Sequence, residues 1–532
     1  MEKRLITAIS LSILIILAFQ VFLPKPAAQR QAPGPVPDTM VQQTKAASVQ
    51  GEHPTISLSQ PNTVQEETFS FDSARYILTF SNIGGAIKTI STKEYRAKDG
   101  VHDLEIAAPA SQRNYILSID DVTGERRIGS AVFQLRRDGT AVVYGARSGD
   151  LDIVKRFSLD DAARTVALEV TFRNAGEAAR EVVYRVVGGS GMIEVSPQDQ
   201  KMIEVIAKID GKIIGFKRPK EGRIMHTGII EWTALKSKYF SLILKPFSPC
   251  ALQYYEGVDA NLTMGLESQK VMLPPGQDVT QRYVLYVGPN DARALKQAHI
   301  GITDVIHYGI LGGITAMMLS VMKLAHAIFH NWGISIVLLA IIINVVLFPL
   351  SNMSFKSIQR MQMLQPQIEK LKIQHKNNPQ KLNKDMMELY RLNKVNPFSG
   401  CLPLLLQMPI FIALYNGLIR AIELKGAHFL WIKDLSMPEG VPLPFSLPLI
   451  GSTINILPIV MAIAMAVQQK LSSAVTGMAQ TSEQRQQQQI MLVVMPIMFG
   501  FIFYGMPSGL VLYWLINTIL TTAEQLLIFK KR

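Results

Sequence analysis

The residues of this 532-residue chain with a capacity for chemistry are few, and they sit inside apolar runs. Asn344, Gln407, Asn416, Asn455 and Asn517 are amides in segments otherwise built from Leu, Ile, Val, Met and Phe, and Ser508, Tyr513 and Trp514 add hydroxyl and indole groups. A polar side chain in hydrocarbon is costly, so it turns toward a neighbouring helix or toward water. One amide alone serves equally well as glue between helices. Taken together, beside Pro403, Pro409 and Met-rich runs, the set reads as the lining of a hydrated cavity with adaptable apolar walls. None of the runs carries the Asp/Glu/His relay of a proton-coupled pump. There is no Gly-rich phosphate loop, no nucleophile elbow and no Cys/His cluster with metal spacing. The two cysteines, Cys250 and Cys401, lie in different halves and build no disulfide framework. The expectation is a protein with no catalytic residue, no metal and no cofactor.

Charge and hydropathy indicate what must position these groups. The net charge is +13, with 48% of residues hydrophobic and 18% charged. Lys and Arg concentrate beside the apolar runs, which is the signature of membrane topology and not of a specific nucleic-acid face. After Lys3 and Arg4, residues 5–23 run without a charge, long enough to cross a hydrocarbon core of about 30 Å. Small residues suited to signal cleavage do not follow, so residues 1–23 read as an uncleaved signal anchor with its N-terminus in the cytoplasm. Pro-rich residues 24–55 read as a flexible linker. Residues 56–299 have strand-like alternation and turn signals, predicting an exported β-sandwich. Within it, residues 69–80 form one run before a turn at Gly84 and Gly85, and residues 166–172 and 181–187 flank Gly176 as a hairpin. The four scattered histidines in or beside it, His53, His102, His226 and His299, make no site.

Residues 300–532 hold the remaining spans, predicted at 333–350, 401–419, 446–467, 490–504 and 509–529. Between the first two, residues 352–397 carry nine basic and three acidic side chains, which places them in the cytoplasm. Met353, Ile358, Met361, Leu364, Ile368 and Leu371 form one apolar stripe at helical spacing, and Met386, Leu389, Tyr390 and Leu392 form another. The pair reads as a helical hairpin turning at Asn377 to Pro379. Residues 307–330 are apolar enough to span. Spanning would put the basic hairpin outside, so they are expected to lie along the outer interface, with Lys323, His326 and His330 on one face. The fold class is thus an α-helical polytopic membrane protein. It has six transmembrane helices, five of them in the core, a large exported β-sandwich domain, and both termini in the cytoplasm.

Several ordered motifs resemble the YidC/Oxa/Alb membrane protein insertase family, in its Gram-negative form. They are residues 331–335 (NWGIS), 348–350 (FPL), 363–366 (MLQP), 395–397 (VNP), 400–403 (GCLP), 407–411 (QMPIF) and 507–513 (PSGLVLY). Residues 232–240 (WTALKSKYF) and 285–289 (LYVGP) resemble that family's exported domain. The resemblance implies a five-helix core whose groove opens to cytoplasm and lipid and is closed on the outer side. It implies an inner-membrane protein that inserts nascent membrane proteins and helps them fold, alone or with the Sec translocon, in contact with membrane lipids and the ribosome. Carried over residue by residue, substrate contacts fall at Pro403, Met408, Phe411, Ser508 and Trp514, with Tyr513 adjacent and Gln407 in the groove. The family's first core span normally carries an Arg, sometimes a Lys, where this chain has Asn344. Lys356 is the nearest basic alternative. The chain also ends at Arg532 without the long basic tail that helps some members dock ribosomes. The rival readings are a secondary transporter, for which the five spans show no inverted repeat, and a membrane-anchored periplasmic binding module.

Overall fold

The computed structural model describes residues 65–96, 102–109, 111–122, 128–138, 141–193, 200, 202–216, 222–257, 262–306, 311–375, 378–393, 395, 402–447, 451–475 and 482–530. The expected anchor, the linker and Cys401 lie outside them. The chain divides into two compact units, one of Met1–Lys236 with Leu242–Tyr286, the other of Ser237–Ser241 with Val287–Arg532.

The first unit is built on strands. A nine-stranded antiparallel sheet runs, in spatial order, Lys212–Phe216, Glu204–Ile209, Ile230–Lys236, Phe240–Pro246, Asp278–Pro289, Thr165–Asn174, Leu151–Asp160, Ala141–Ser148 and Gln134–Asp138. A five-stranded sheet faces it, ordered Arg223–Thr227, Cys250–Glu256, Thr263–Ser268, Tyr184–Gly189 and Ile119–Asp121. The period of two sets the core: in Leu151–Asp160 the side chains of Leu151, Ile153, Lys155 and Phe157 point inward and their neighbours outward. The sheets meet where Tyr184 donates to Gln281 Oε1 at 2.7 Å, with Tyr283 Oη 3.0 Å away. They come close because Gly188 lacks a side chain; a Cβ there would lie 2.7 Å from Leu244 Cβ.

Lys155 occupies one of the inward positions and is fully buried. Its amine donates to Gly84 O at 3.0 Å and Leu117 O at 2.7 Å, and lies 5.4 Å from the Phe157 ring centre. Burial away from water drives its pKa well below that of an ordinary lysine.

Two local expectations are corrected here. The residues around Gly176 do not make a hairpin. Thr165–Asn174 pairs along its length with Leu151–Asp160 and Asp278–Pro289, whereas Arg180–Val182 pairs with Val271–Leu273 and Tyr184–Gly189 joins the facing sheet. Asn174 explains the departure, since its side chain donates to Ala178 O and Leu273 O and so steers the chain out of the sheet. Residues 69–80 are not one run but two paired strands, Thr68–Asp72 and Tyr76–Ser81. Ser73 makes the turn by donating to Tyr76 O.

The second unit is mostly helical in its described residues. Its helices are α1 (Ala292–Gln297), α2 (Gly312–Phe329), α3 (Trp332–Met363), α4 (Gln365–Gln374), α5 (Pro379–Leu392), α6 (Leu402–Arg420), α7 (Ile456–Val475), α8 (Ser482–Tyr504) and α9 (Ser508–Lys530). Gly312–Phe329, Trp332–Met361 and Ser508–Ile528 are long and apolar enough to cross a membrane, and Ile456–Ser472 and Leu492–Tyr504 are shorter apolar stretches. The run expected as a span from 446 begins instead at Ile456. Val441–Leu447 and Gly451–Ile454 before it pair as antiparallel strands, and Asn455 ends that pair by accepting from Gly440 N and donating to Tyr504 O. The hairpin expected from 352 has no break at its start, because α3 continues through Pro349 to Met363. Beyond it, α4 and α5 pack through Leu364, Ile368 and Val395, with Met361, Met386, Leu389 and Tyr390 against them. The Asn378 side chain caps α5 by accepting from Lys381 N at 3.0 Å. Met353, expected in the stripe, is instead exposed.

Candidate functional site

The helical core is packed unevenly along its length. Its buried apolar residues come from the start of α3 (Ile336, Leu339, Ala340), the end of α6 (Ala413, Leu414, Leu418), the start of α7 (Leu457, Met461), Phe503 near the end of α8, and the start of α9 (Leu510, Val511, Leu512). Met318 and Met322 of α2, and Leu424, Ile432 and Leu435 after α6, close the same end. Outward-facing apolar side chains are exposed at both ends, Phe501 near the seal and Val345, Val346, Val467 and Leu527 further from it, but the buried cluster itself is concentrated at the sealed end.

Local sequence explains the sealed end. Asn331 caps α3, its Oδ1 accepting from Ile334 N at 3.0 Å. Gly333 is required beside it, because a Cβ would fall 2.0 Å from Phe429 Cγ. Pro507, Ser508 and Gly509 start α9. Ser508 Oγ donates to Met437 O at 2.6 Å, Gly509 N donates to Leu435 O at 2.9 Å, and a Cβ on Gly509 would press on that same carbonyl and on Ile336. Ser508 therefore pins the helix start to the segment after α6 and is buried there. It does not line an open surface.

From this seal a row of polar groups descends α9 at helical spacing: Tyr513, Asn517, Thr521 and Glu524. The first three take partners from three different helices. Gln407 of α6 donates to Tyr513 Oη at 3.3 Å. Asn344 of α3 donates to Asn517 Oδ1 at 2.9 Å and to Ala340 O at 2.8 Å. Gln468 of α7 donates to Thr521 Oγ1 at 2.8 Å. At the end of the row, Glu524 Oε2 and Gln525 Oε1 are buried with no hydrogen-bond partner among the described residues. Beside the top of the row lies an aromatic cluster. Trp514 meets Phe411 edge to face at 5.1 Å and packs on Phe503 at 5.2 Å and Phe499 at 5.7 Å. Met408, one turn before Phe411, is exposed on α6.

The structure thus brings together Gln407, Phe411, Tyr513, Trp514 and, through Asn517, Asn344. Asn455 is a turn clamp, and the side chain of Pro403 lies outside the described ones. Lys356 does not reach the level of Asn344: it lies 12 residues further along α3, about 18 Å at 1.5 Å per residue, and points outward. Gln468, Thr521, Phe499 and Phe503 were not anticipated from the sequence. Four-residue spacing from Tyr513 through Asn517 to Thr521 was the available signal. Gln468 was hidden because the span was expected to end at residue 467, whereas α7 runs on to Val475. Among the described residues no group of three or more His, Cys, Asp or Glu could hold a metal ion.

A β-rich unit joined to a helical core with spans of membrane length, sealed at one end and laddered with neutral polar groups toward the other, defines the class, an integral membrane protein with a large β domain. Comparison with known proteins gives the family. Residues 324–532 match the 60Kd inner membrane protein family, and residues 68–321 match the YidC periplasmic domain. The chain is 30% identical to the membrane protein insertase YidC of Geotalea uraniireducens, covering 100% of this chain and 99% of that one. It is 30% identical to the same protein of Geobacter sulfurreducens, covering 99% and 98%. A crystal structure of an active YidC insertase with its first transmembrane domain resolved is similar at 19% identity and a TM-score of 0.37, over 86% of this chain and 92% of that one. The chain belongs to the YidC family of membrane protein insertases. It is an inner-membrane protein with a periplasmic domain, and an insertase, not an enzyme.

Proposed function

We propose that this chain inserts inner-membrane proteins, and helps them fold, through a hydrophilic groove along α9 that opens to cytoplasm and lipid and is closed toward the periplasm. One observation carries the reading: the buried apolar core fills one end of the bundle, and from Tyr513 at its edge a polar row runs through Asn517 and Thr521 toward the other. The cytoplasmic side is the end bearing the α4–α5 hairpin, because residues 352–397 hold nine basic against three acidic side chains. The chain then crosses six times, by residues 1–23 and by α3, α6, α7, α8 and α9, and both termini are cytoplasmic. α2 lies along the outer interface. Lys323 bonds both Asp291 and Glu423, and these acids flank the sealed end.

In this mechanism the polar row shortens the apolar barrier that a hydrophilic loop or tail must cross. Its hydroxyls and amides exchange partners between helices, water and the incoming backbone. Met408, Phe411 and Trp514 offer the substrate helix an apolar face, and lipid takes it. Each apolar residue delivered to hydrocarbon contributes roughly −0.3 to −0.6 kcal/mol, so a helix of about 20 residues drives itself once started. No nucleotide is required. The substrates are nascent membrane proteins, received from the ribosome directly or beside the Sec translocon. With Asn344 and not a cation at its level, the groove attracts polar tails of either sign by hydrogen bonding, without a fixed positive charge.

The test is insertion of a small phage-coat-like protein into liposomes carrying the purified full chain. Replacing Gln407 and Gln468 together by Leu removes two rungs, and insertion should fall by about tenfold, the effect of roughly 1.4 kcal/mol on the rate-limiting crossing. Unchanged insertion by a folded double variant would overturn the groove.

A further inference from the structure

Beside the sealed end of the core lies a recess of about 450 Å³ lined by Ala292, Arg293, Lys296, Gln297, His299 and Lys323, within the range of about 300–1,000 Å³ typical of ligand sites. Its cations differ in status. Lys323 is spent, its Nζ held by Asp291 at 2.6 Å and by Glu423 at 2.7 Å. Arg293 and Lys296, one turn apart on α1, have no ion-pair partner among the described residues, and neither has His299. Asp291 cannot serve them, because its other oxygen caps α1 by accepting from Arg293 N and Ala294 N. Two unneutralised cations therefore face a cavity whose third cation is fixed in place.

We propose that this recess binds the phosphate headgroup of an anionic phospholipid from the outer leaflet, an inference that rests on the interfacial position of α2 given above. The guanidinium of Arg293 and the ammonium of Lys296 take the phosphate oxygens, and Gln297 and His299 supply further donors. The apolar part of the ligand follows from the neighbouring helix. About a third of a turn round α2 from Lys323, Met317 (61%), Leu324 (67%) and Ile328 (65%) are exposed and share a face by their spacing of seven and four residues. Acyl chains lie along that face. A soluble phosphate would satisfy the cations and leave it uncovered, so the lipid is the better complement to the whole surface.

Native mass spectrometry of the full-length chain, titrated with phosphatidylglycerol and separately with phosphatidylcholine, tests this. The unaltered chain should bind phosphatidylglycerol at least about tenfold more tightly, and Arg293→Gln with Lys296→Gln should abolish the preference while leaving phosphatidylcholine binding and the melting temperature unchanged. Equal binding of the two lipids by the unaltered chain overturns the proposal whether or not the variant folds. So does displacement of phosphatidylglycerol by millimolar inorganic phosphate, which would mark a site for the free anion. Insertion measured in parallel in phosphatidylcholine liposomes separates the two readings. Lost selectivity with intact insertion removes only the lipid site, and absent insertion with intact selectivity removes only the groove.

Discussion

Lys155 in the periplasmic unit and Asn344 in the helical core are both polar side chains buried among apolar ones, yet they find their partners in different places. Lys155 donates only to main-chain carbonyls, Gly84 O and Leu117 O, which lie outside the strand ladders. Asn344 donates to a carbonyl of its own helix and then to another side chain, Asn517, on a different helix. The reason is backbone accounting. Turns between strands leave carbonyls free to accept, whereas a spanning helix has used nearly all of its own, so side chains there must pair with side chains. A lysine held by fixed carbonyls can do nothing but fill space. A side-chain pair between two helices can open, admit water or a peptide, and close again.

The comparison can be broken most severely at a glycine of the sheet. A Cβ on Gly265 would fall 2.1 Å from Val186 O, a backbone atom that cannot move aside. Gly265→Val should cost about 3 kcal/mol or more, read as lost hydrogen-exchange protection across Thr263–Ser268, with the core helices still protected. Next in size is the amide pair. Asn344→Leu alone leaves Asn517 without its partner and should destabilise the core by about 2 kcal/mol. The double change Asn344→Leu with Asn517→Leu should recover most of that stability and still insert poorly. If the double variant inserts normally, the pair is glue only.

The next effect depends on pH. The folded-state pKa of Lys155 is lowered by burial, so between that value and the ordinary 10.5 the unfolded chain holds the extra proton. Stability of the periplasmic unit should therefore rise with pH through that window, by up to about 1.4 kcal/mol per pH unit. Lys155→Met should flatten the slope, as read by hydrogen exchange in Leu151–Asp160. The smallest effect is expected of Trp514→Phe, which keeps an aromatic ring against Phe411 and Phe503 and should cost about 1 kcal/mol. Insertion should fall by less than with the Gln407 and Gln468 double change.

Much of the architecture was legible in the residues. The period of two in residues 151–160 and the charge-free stretches near α3 and α9 are local patterns, and local patterns announce element type. The hairpin stripes at Leu364, Ile368, Met386 and Leu389 were readable for the same reason. The hairpin at Gly176 was misread because strand pairing is non-local: residues 166–172 had a better partner a hundred residues away in Asp278–Pro289. The start of α7 was misread because the apolar residues 446–454 suit a paired strand as well as a helix, and hydropathy does not distinguish them.

The candidate site divides the same way. Which side chains are polar within apolar runs, and that Tyr513, Asn517 and Thr521 share a face of one helix, are properties of the sequence, because helical spacing alone dictates them. That Gln407, Asn344 and Gln468 meet those three in order, that Ser508 is spent on a carbonyl, and that Lys356 lies turns away from Asn344 were decided only when the helices packed. Partners on separate helices are set by depth and rotation in the bundle, which depend on every apolar contact at once and on no single stretch of chain.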